Sequence, residues 1–180
     1  MEASEGGAAV TVRAERPADY EAIGRVVEAA FGRPNEARLV ELIRASEHCV
    51  PELALVAEQE GAVVGHVMFS YVTLRGAQEY RVLSLAPAAV APAWQRRGVG
   101  SAVIREGLQR AEARGEPLVI VEGHPAYYPR FGFERARPHG IEPPSPDIPD
   151  AAFMVSLLPN YDRRYRGQVV YPPAFDVTYE

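Results

Sequence analysis

The stretch Gln95-Arg96-Arg97-Gly98-Val99-Gly100-Ser101 puts two glycines and two arginines where an apolar strand gives way to an amphipathic helix. A helix amino terminus carries unpaired N–H groups and a partial positive charge, so this junction can hold an anion such as a phosphate. Gly98 and Gly100 let the backbone approach such a group closely, and Arg96 and Arg97 can pair with it. Downstream, Glu122 and His124 follow a continuous apolar run, and either can accept a proton directly or through a water.

Known phosphate-binding patterns narrow the reading. A Walker loop needs a lysine, and none of the 180 residues is one, because all 19 basic residues are arginine. The same absence removes Schiff-base chemistry on a lysine. The dinucleotide fingerprint needs a third small residue, whereas Gly98-Val99-Gly100-Ser101-Ala102-Val103 ends in valine. A net charge of -5 disfavours a surface that tracks a nucleic-acid backbone. Cys49 is the only cysteine, so no internal disulfide and no cysteine-based zinc cluster can form, and it reads as structural.

The elements that must position these residues follow from periodicity. Val10, Val12 and Ala14 alternate as a short strand, and Arg16-Pro17-Ala18-Asp19 opens a helix carrying Ile23, Val26, Val27, Ala30 and Phe31. Leu39, Val40, Leu42 and Ile43 repeat the helical spacing beyond Gly32-Arg33-Pro34. Leu53 to Ala57 and Val63 to Val72 read as an antiparallel hairpin, and Arg81 to Val90 as a strand that bends or bulges at Pro87. Val99 to Arg114 is the clearest helix, closed by Gly115, and Leu118 to Val121 is a strand buried on both faces. Together they make one βαβ unit. Pro125 to Phe131 predicts a short helix and Ala152 to Leu158 a last strand, with a proline-rich loop between and weak signals after Pro159.

Length and composition, with 47% hydrophobic and 24% charged residues, fit one globular domain over 1–180, with its core at about 10–158 and a carboxy-terminal extension at 159–180. The start, Met1 to Ala9, lacks the basic and apolar segments of a secretion signal, and no apolar run spans a bilayer, so the expected location is the cytoplasm.

Two ordered motifs carry a family resemblance. Val90, Pro92, Gln95, Gly98 and Gly100 resemble motif A of the GNAT N-acetyltransferase superfamily, and Tyr128-Pro129-Arg130-Phe131-Gly132-Phe133 resembles its downstream tyrosine and Gly-Phe pair. The string from Gly123 to Phe133 is similar to the YhbS-like branch. The resemblance implies an α+β fold: a mixed sheet of six or seven mostly antiparallel strands, two central parallel strands splayed apart, and helices on both faces. It implies acetyl-CoA as cofactor, with pantetheine along Ala88, Ala89 and Val90 and pyrophosphate on the Gln95, Arg96, Arg97, Gly98, Val99, Gly100 and Ser101 loop.

For the chemistry, the resemblance implies that the Tyr128 phenol, with the adjacent Tyr127 as the alternative, donates to the departing sulfur and the Val90 amide serves the oxyanion. The strand from Val82 to Val90 lacks the acid many relatives carry, so the proton acceptor stays open between Glu122 and His124, with Glu79 and His66 as fainter candidates. The implied activity is acetyl transfer to a primary amine of a small molecule or protein; a noncatalytic acyl-CoA sensor is the alternative. No metal, nucleic acid or membrane is expected, and the chain is read as a monomer or homodimer. Asp162-Arg163-Arg164-Tyr165-Arg166 reads as solvated surface that, with the proline loop, could cover the acceptor site or a neighbouring subunit.

Overall fold

A computed structural model describes residues 9–180, so the amino-terminal stretch up to residue 8 lies outside the described residues. The chain runs through β1 (Thr11–Ala14), α1 (Tyr20–Phe31), α2 (Asn35–Arg44), β2 (Cys49–Gln59), β3 (Ala62–Arg75), β4 (Glu79–Val90) and α3 (Val99–Ala113). It continues through β5 (Leu118–Glu122), β6 (Glu134–Arg135), β7 (Ile141–Glu142), β8 (Phe153–Leu157) and β9 (Gly167–Val170).

The strands form one mixed sheet in the order β1-β2-β3-β4-β5-β8-β6, with β9 paired to β3 and β7 to β9. Only β4 with β5 and β7 with β9 run parallel. Alternation along the central strands splits the core in two. Val56, Met68, Val82 and Ile120 pack with Ile23, Val27, Leu39 and Ile43 of α1 and α2. Their neighbours Leu55, Phe69, Leu83 and Val119 pack on the opposite face with Val103, Ile104 and Ala111 of α3. Helices on both faces therefore follow from central strands that carry apolar residues on both of their sides. No helix among the described residues is long and apolar enough to cross a membrane.

The expected irregularity near Pro87 is a bulge. Val67 pairs with Ala88 and Phe69 with Leu85, so Ala86 and Pro87 together oppose Met68. Seven strands lie on the main path, as expected; β7 and β9 add to them. The carboxy-terminal strand was missed because its reason is not local. The last β2 partner on β3 is Ser70, whereas β3 runs on to Arg75, and β9 covers that open edge through Thr73–Val170 and Leu74–Val169.

Arginine ion pairs join the layers. Arg13 holds Asp19 at 2.7 Å and Glu58 at 2.8 Å, tying β1 to the start of α1 and to β2. Arg44 donates to both oxygens of Glu15, at 2.8 and 3.0 Å. His66 is fully buried on β3 with its Nδ1 3.8 Å from Glu15. Because Arg44 already neutralises that carboxylate, burial dominates and pushes the imidazole down to about 4. His66 thus sits in the core, away from the cleft described below.

In the unfolded chain this histidine binds a proton near its ordinary pKa, so between pH 6.5 and about 4 the unfolded state is the one that takes it up. Stability is therefore full above that window and lost as pH falls through it, by about 3 kcal/mol. Chemical denaturation at pH 7 and pH 4 is expected to show this loss in the native chain and a smaller one in His66→Leu.

Candidate active site

Strands β4 and β5 pair at Leu83–Val119 and Ser84–Ile120 and then part. Beyond Ser84 the second side of β4 faces a cleft. The Ala91 amide bonds the Val64 carbonyl at 2.9 Å; by the alternation of an antiparallel ladder, Ala89 turns to β3 whereas Ala88 and Val90 turn their polar groups into the gap. Ala89 still lines the cleft, but its amide belongs to the sheet.

The loop leaving β4 folds back on the strand end. The Gln95 side-chain amide donates to the Val90 carbonyl at 3.1 Å, so Gln95 fastens the loop to the strand it follows. Arg96 (φ 63°) and Gly98 (φ 82°) take left-handed backbone conformations, which turn the chain into α3. The first helical bond runs from the Ala102 amide to the Gly98 carbonyl at 3.0 Å, leaving the amides of Val99, Gly100 and Ser101 without intrahelical acceptors. Arg96, Gly98, Val99, Gly100 and Ser101 line the cleft. Arg97 does not: its guanidinium lies over the Trp94 ring, 5.2 Å from the centroid.

Across the cleft a short 3₁₀ turn, Tyr128–Phe131, carries the aromatic motif. The Tyr128 ring rests on Gly123, where a Cβ would come within 2.4 Å of it, and meets Phe133 edge-on at 5.7 Å. Burial raises its phenol to about 12. Tyr127 points toward the helix start, its hydroxyl so close to Gly100 that a Cβ there would lie 2.8 Å away. Arg130 lies over the Tyr127 ring at 4.5 Å and donates to the Tyr127 carbonyl at 2.8 Å. Tyr127 and Tyr128 therefore line both halves of the cleft, one nearer the glycine loop and one seated by Gly123.

Glu122 and His124 lie on the second half. Glu122 accepts hydrogen bonds from Tyr171 and Tyr179, each at 3.3 Å. Burial, with the Glu122 charge next, raises both phenols, that of Tyr179 to about 12, so both remain donors. The exposed His124 accepts the Ala126 amide at Nδ1, 3.2 Å away. The carboxy-terminal segment closes this half: Arg33 donates to the Thr178 carbonyl and Asn35 to the Val177 carbonyl, both at 2.9 Å. Glu79 lies at the distant start of β4, paired with Arg75.

Comparisons with known proteins decide what this arrangement is. Residues 11–136 match the model of the acetyltransferase (GNAT) domain. The chain belongs to the GNAT acetyltransferase family. It is 34% identical to YhbS of Escherichia coli over 82% of this chain and 86% of that one. It is 41% identical to YjhQ of the same organism over 64% of this chain and 65% of that one. Both relatives are named as uncharacterized N-acetyltransferases. A crystal structure of Escherichia coli YhbS in complex with CoA superposes with a TM-score of 0.86 at 30% identity, covering 97% and 96% of the two chains. A GNAT acetyltransferase from Brucella melitensis in complex with acetyl-CoA gives 0.76 at 32% identity, covering 94% and 99%.

Within this GNAT fold, sequence reasoning missed several residues at the cleft, Glu36, Arg130, Tyr171 and Tyr179 among them. Glu36 is buried on α2 and paired with Arg33; Arg130 faces the glycine loop half, and Tyr171 and Tyr179 come from the tail. Only Arg130 had a local signal, its place inside the aromatic motif. Gly123 matters because the Tyr128 ring occupies the space of its missing side chain. Gly123→Ala is expected to lower unfolding free energy by about 1–3 kcal/mol in chemical denaturation and to displace the Tyr128 ring in a crystal structure.

Proposed function

We propose that this GNAT chain is an N-acetyltransferase that moves an acetyl group from acetyl-CoA directly to a primary amine. The observation that carries the reading is a continuous cleft whose wall is the unpaired side of β4. One end meets the free amides of α3, and the other meets Tyr128 and Glu122. The complexes of YhbS with CoA and of the Brucella protein with acetyl-CoA support it.

The residues fit the cofactor. Peptide-like pantetheine matches the backbone donor and acceptor that Ala88 turns into the gap, the Val90 carbonyl being held by Gln95 and its amide left for the acetyl oxygen, with Ala89 holding that stretch to β3. A diphosphate matches the amides of Val99, Gly100 and Ser101 and the positive helix end, with Arg96 beside it and Gln95 and Gly98 shaping the loop. Arg97, engaged with Trp94, contributes positive potential to this loop. Bound acetyl-CoA supplies an acetyl thioester.

The chain supplies polarisation, orientation and proton handling. The Val90 amide stabilises negative charge at the acetyl oxygen. Tyr128 holds its proton, because a phenol near 12 is a weaker acid than a thiol near ~8.5. It therefore donates a hydrogen bond to the sulfur as charge develops there. The proton that the amine nitrogen must lose goes to Glu122, with His124 as the other acceptor within the same half of the cleft. We place this activity in the cytoplasm.

Tyr128→Phe removes only the donor oxygen. In a thiol-release assay its kcat is expected to fall by about 10²–10⁴, while calorimetry shows acetyl-CoA binding within about threefold of the native value. An unchanged kcat would remove Tyr128 from the mechanism. Tight acetyl-CoA binding by the native chain without turnover on any amine would favour a sensor instead.

A further inference from the structure

The half of the cleft beyond Tyr128 is a cavity of about 460 Å³, the size of a small-ligand site. A third of its lining is aromatic: besides Tyr127 and Tyr128, Phe31, Tyr171, Phe175 and Tyr179 stand around the strand segment from Leu85 to Ala88. Tyr171 and Phe175 are stacked, with centroids 4.7 Å apart and planes 15° from parallel, so each fixes the other's ring and the pair is a rigid part of the cavity wall.

The charges in this cavity are unequal in their partners. Arg33 is engaged, donating to Glu36 through Nε at 3.1 Å and to the Thr178 carbonyl at 2.9 Å. Glu36 is thereby neutralised. His124 has its Nδ1 committed to the Ala126 amide. Glu122 faces no cation among the described residues; both of its partners are neutral phenols. The cavity thus offers one uncompensated carboxylate among π faces, an environment that attracts a single cation.

We propose that the acceptor is a small primary amine with one positive charge on a flat apolar body, its ammonium on Glu122 and its body against the Tyr171–Phe175 wall. This rests on the transferase reading above. A substrate carboxylate finds the one guanidinium of this lining already paired, Arg33 being held by Glu36, which disfavours amino acids. A second ammonium finds no second unpaired carboxylate in the lining of this cavity; Asp147 and Asp176 line an adjoining one that shares Glu122, Tyr171 and Tyr179 with it. The anchored tail narrows access from that side, which favours a small molecule over a folded protein.

Titration calorimetry on the CoA-saturated protein tests this with three probes: phenethylamine, phenylalanine, which adds a carboxylate to the same body, and spermidine, which adds charges. Phenethylamine is expected to bind at least about tenfold tighter than either of the others. Glu122→Gln, an isosteric change at an exposed position, is expected to weaken phenethylamine by about tenfold with CoA affinity unchanged. Equal or tighter binding of phenylalanine or spermidine, no binding of phenethylamine, or indifference to Glu122→Gln overturns the proposal. Failure of CoA itself to bind overturns the transferase reading instead, so the two failures are distinguishable.

Discussion

After Ser84 and Ile120 the strands β4 and β5 lose contact, and the amides of Ala88 and Val90 face a gap where a neighbouring strand would otherwise take them. Backbone polar groups withdrawn from water need partners, so this divergence makes the middle of the sheet receptive to an extended, peptide-like ligand. Each side of the gap is built around that need. The bulge at Ala86 and Pro87 re-aims β4, Gln95 fastens the following loop to the Val90 carbonyl, and α3 starts beside the strand end with its first amides free. Strand, loop and helix form a single track for one elongated molecule.

The second half of the cleft depends on the carboxy-terminal segment. Its strand β9 is recruited by the part of β3 that β2 leaves uncovered, and Arg33 and Asn35 then hold the following turn by two main-chain carbonyls. Main-chain anchoring fixes where the segment lies without dictating its side chains. Tyr171, Phe175 and Tyr179 can therefore shape the cavity independently of Tyr128, which is seated by Gly123.

What could be read from the chain and what could not divide along physical lines. The helix from Val99, the bulge at Pro87 and the apolar strand at Leu118 rest on periodicity and on one proline, both local signals, and they stand where expected. The glycine loop was legible for the same reason. Glu122 and His124 were placed near the cleft by their position after a buried strand, and both line it. Arg97 was expected to pair with phosphate from its place in the glycine loop, yet the adjacent Trp94 face captures its guanidinium. Glu36, Tyr171 and Tyr179 were invisible, because only tertiary pairing brings α2 and the tail to β5.

The ion pairs that join the layers, Arg13 with Asp19 and Arg44 with Glu15, and the local pair of Arg33 with Glu36 at the cleft all use guanidinium. A guanidinium keeps its charge at any physiological pH and is not a nucleophilic amine. Since the chain contains no lysine, none of its side chains is a primary amine that could compete with the acceptor for an activated acyl group. A protein built this way can be saturated with thioester for long periods without wearing away the cations that hold it together.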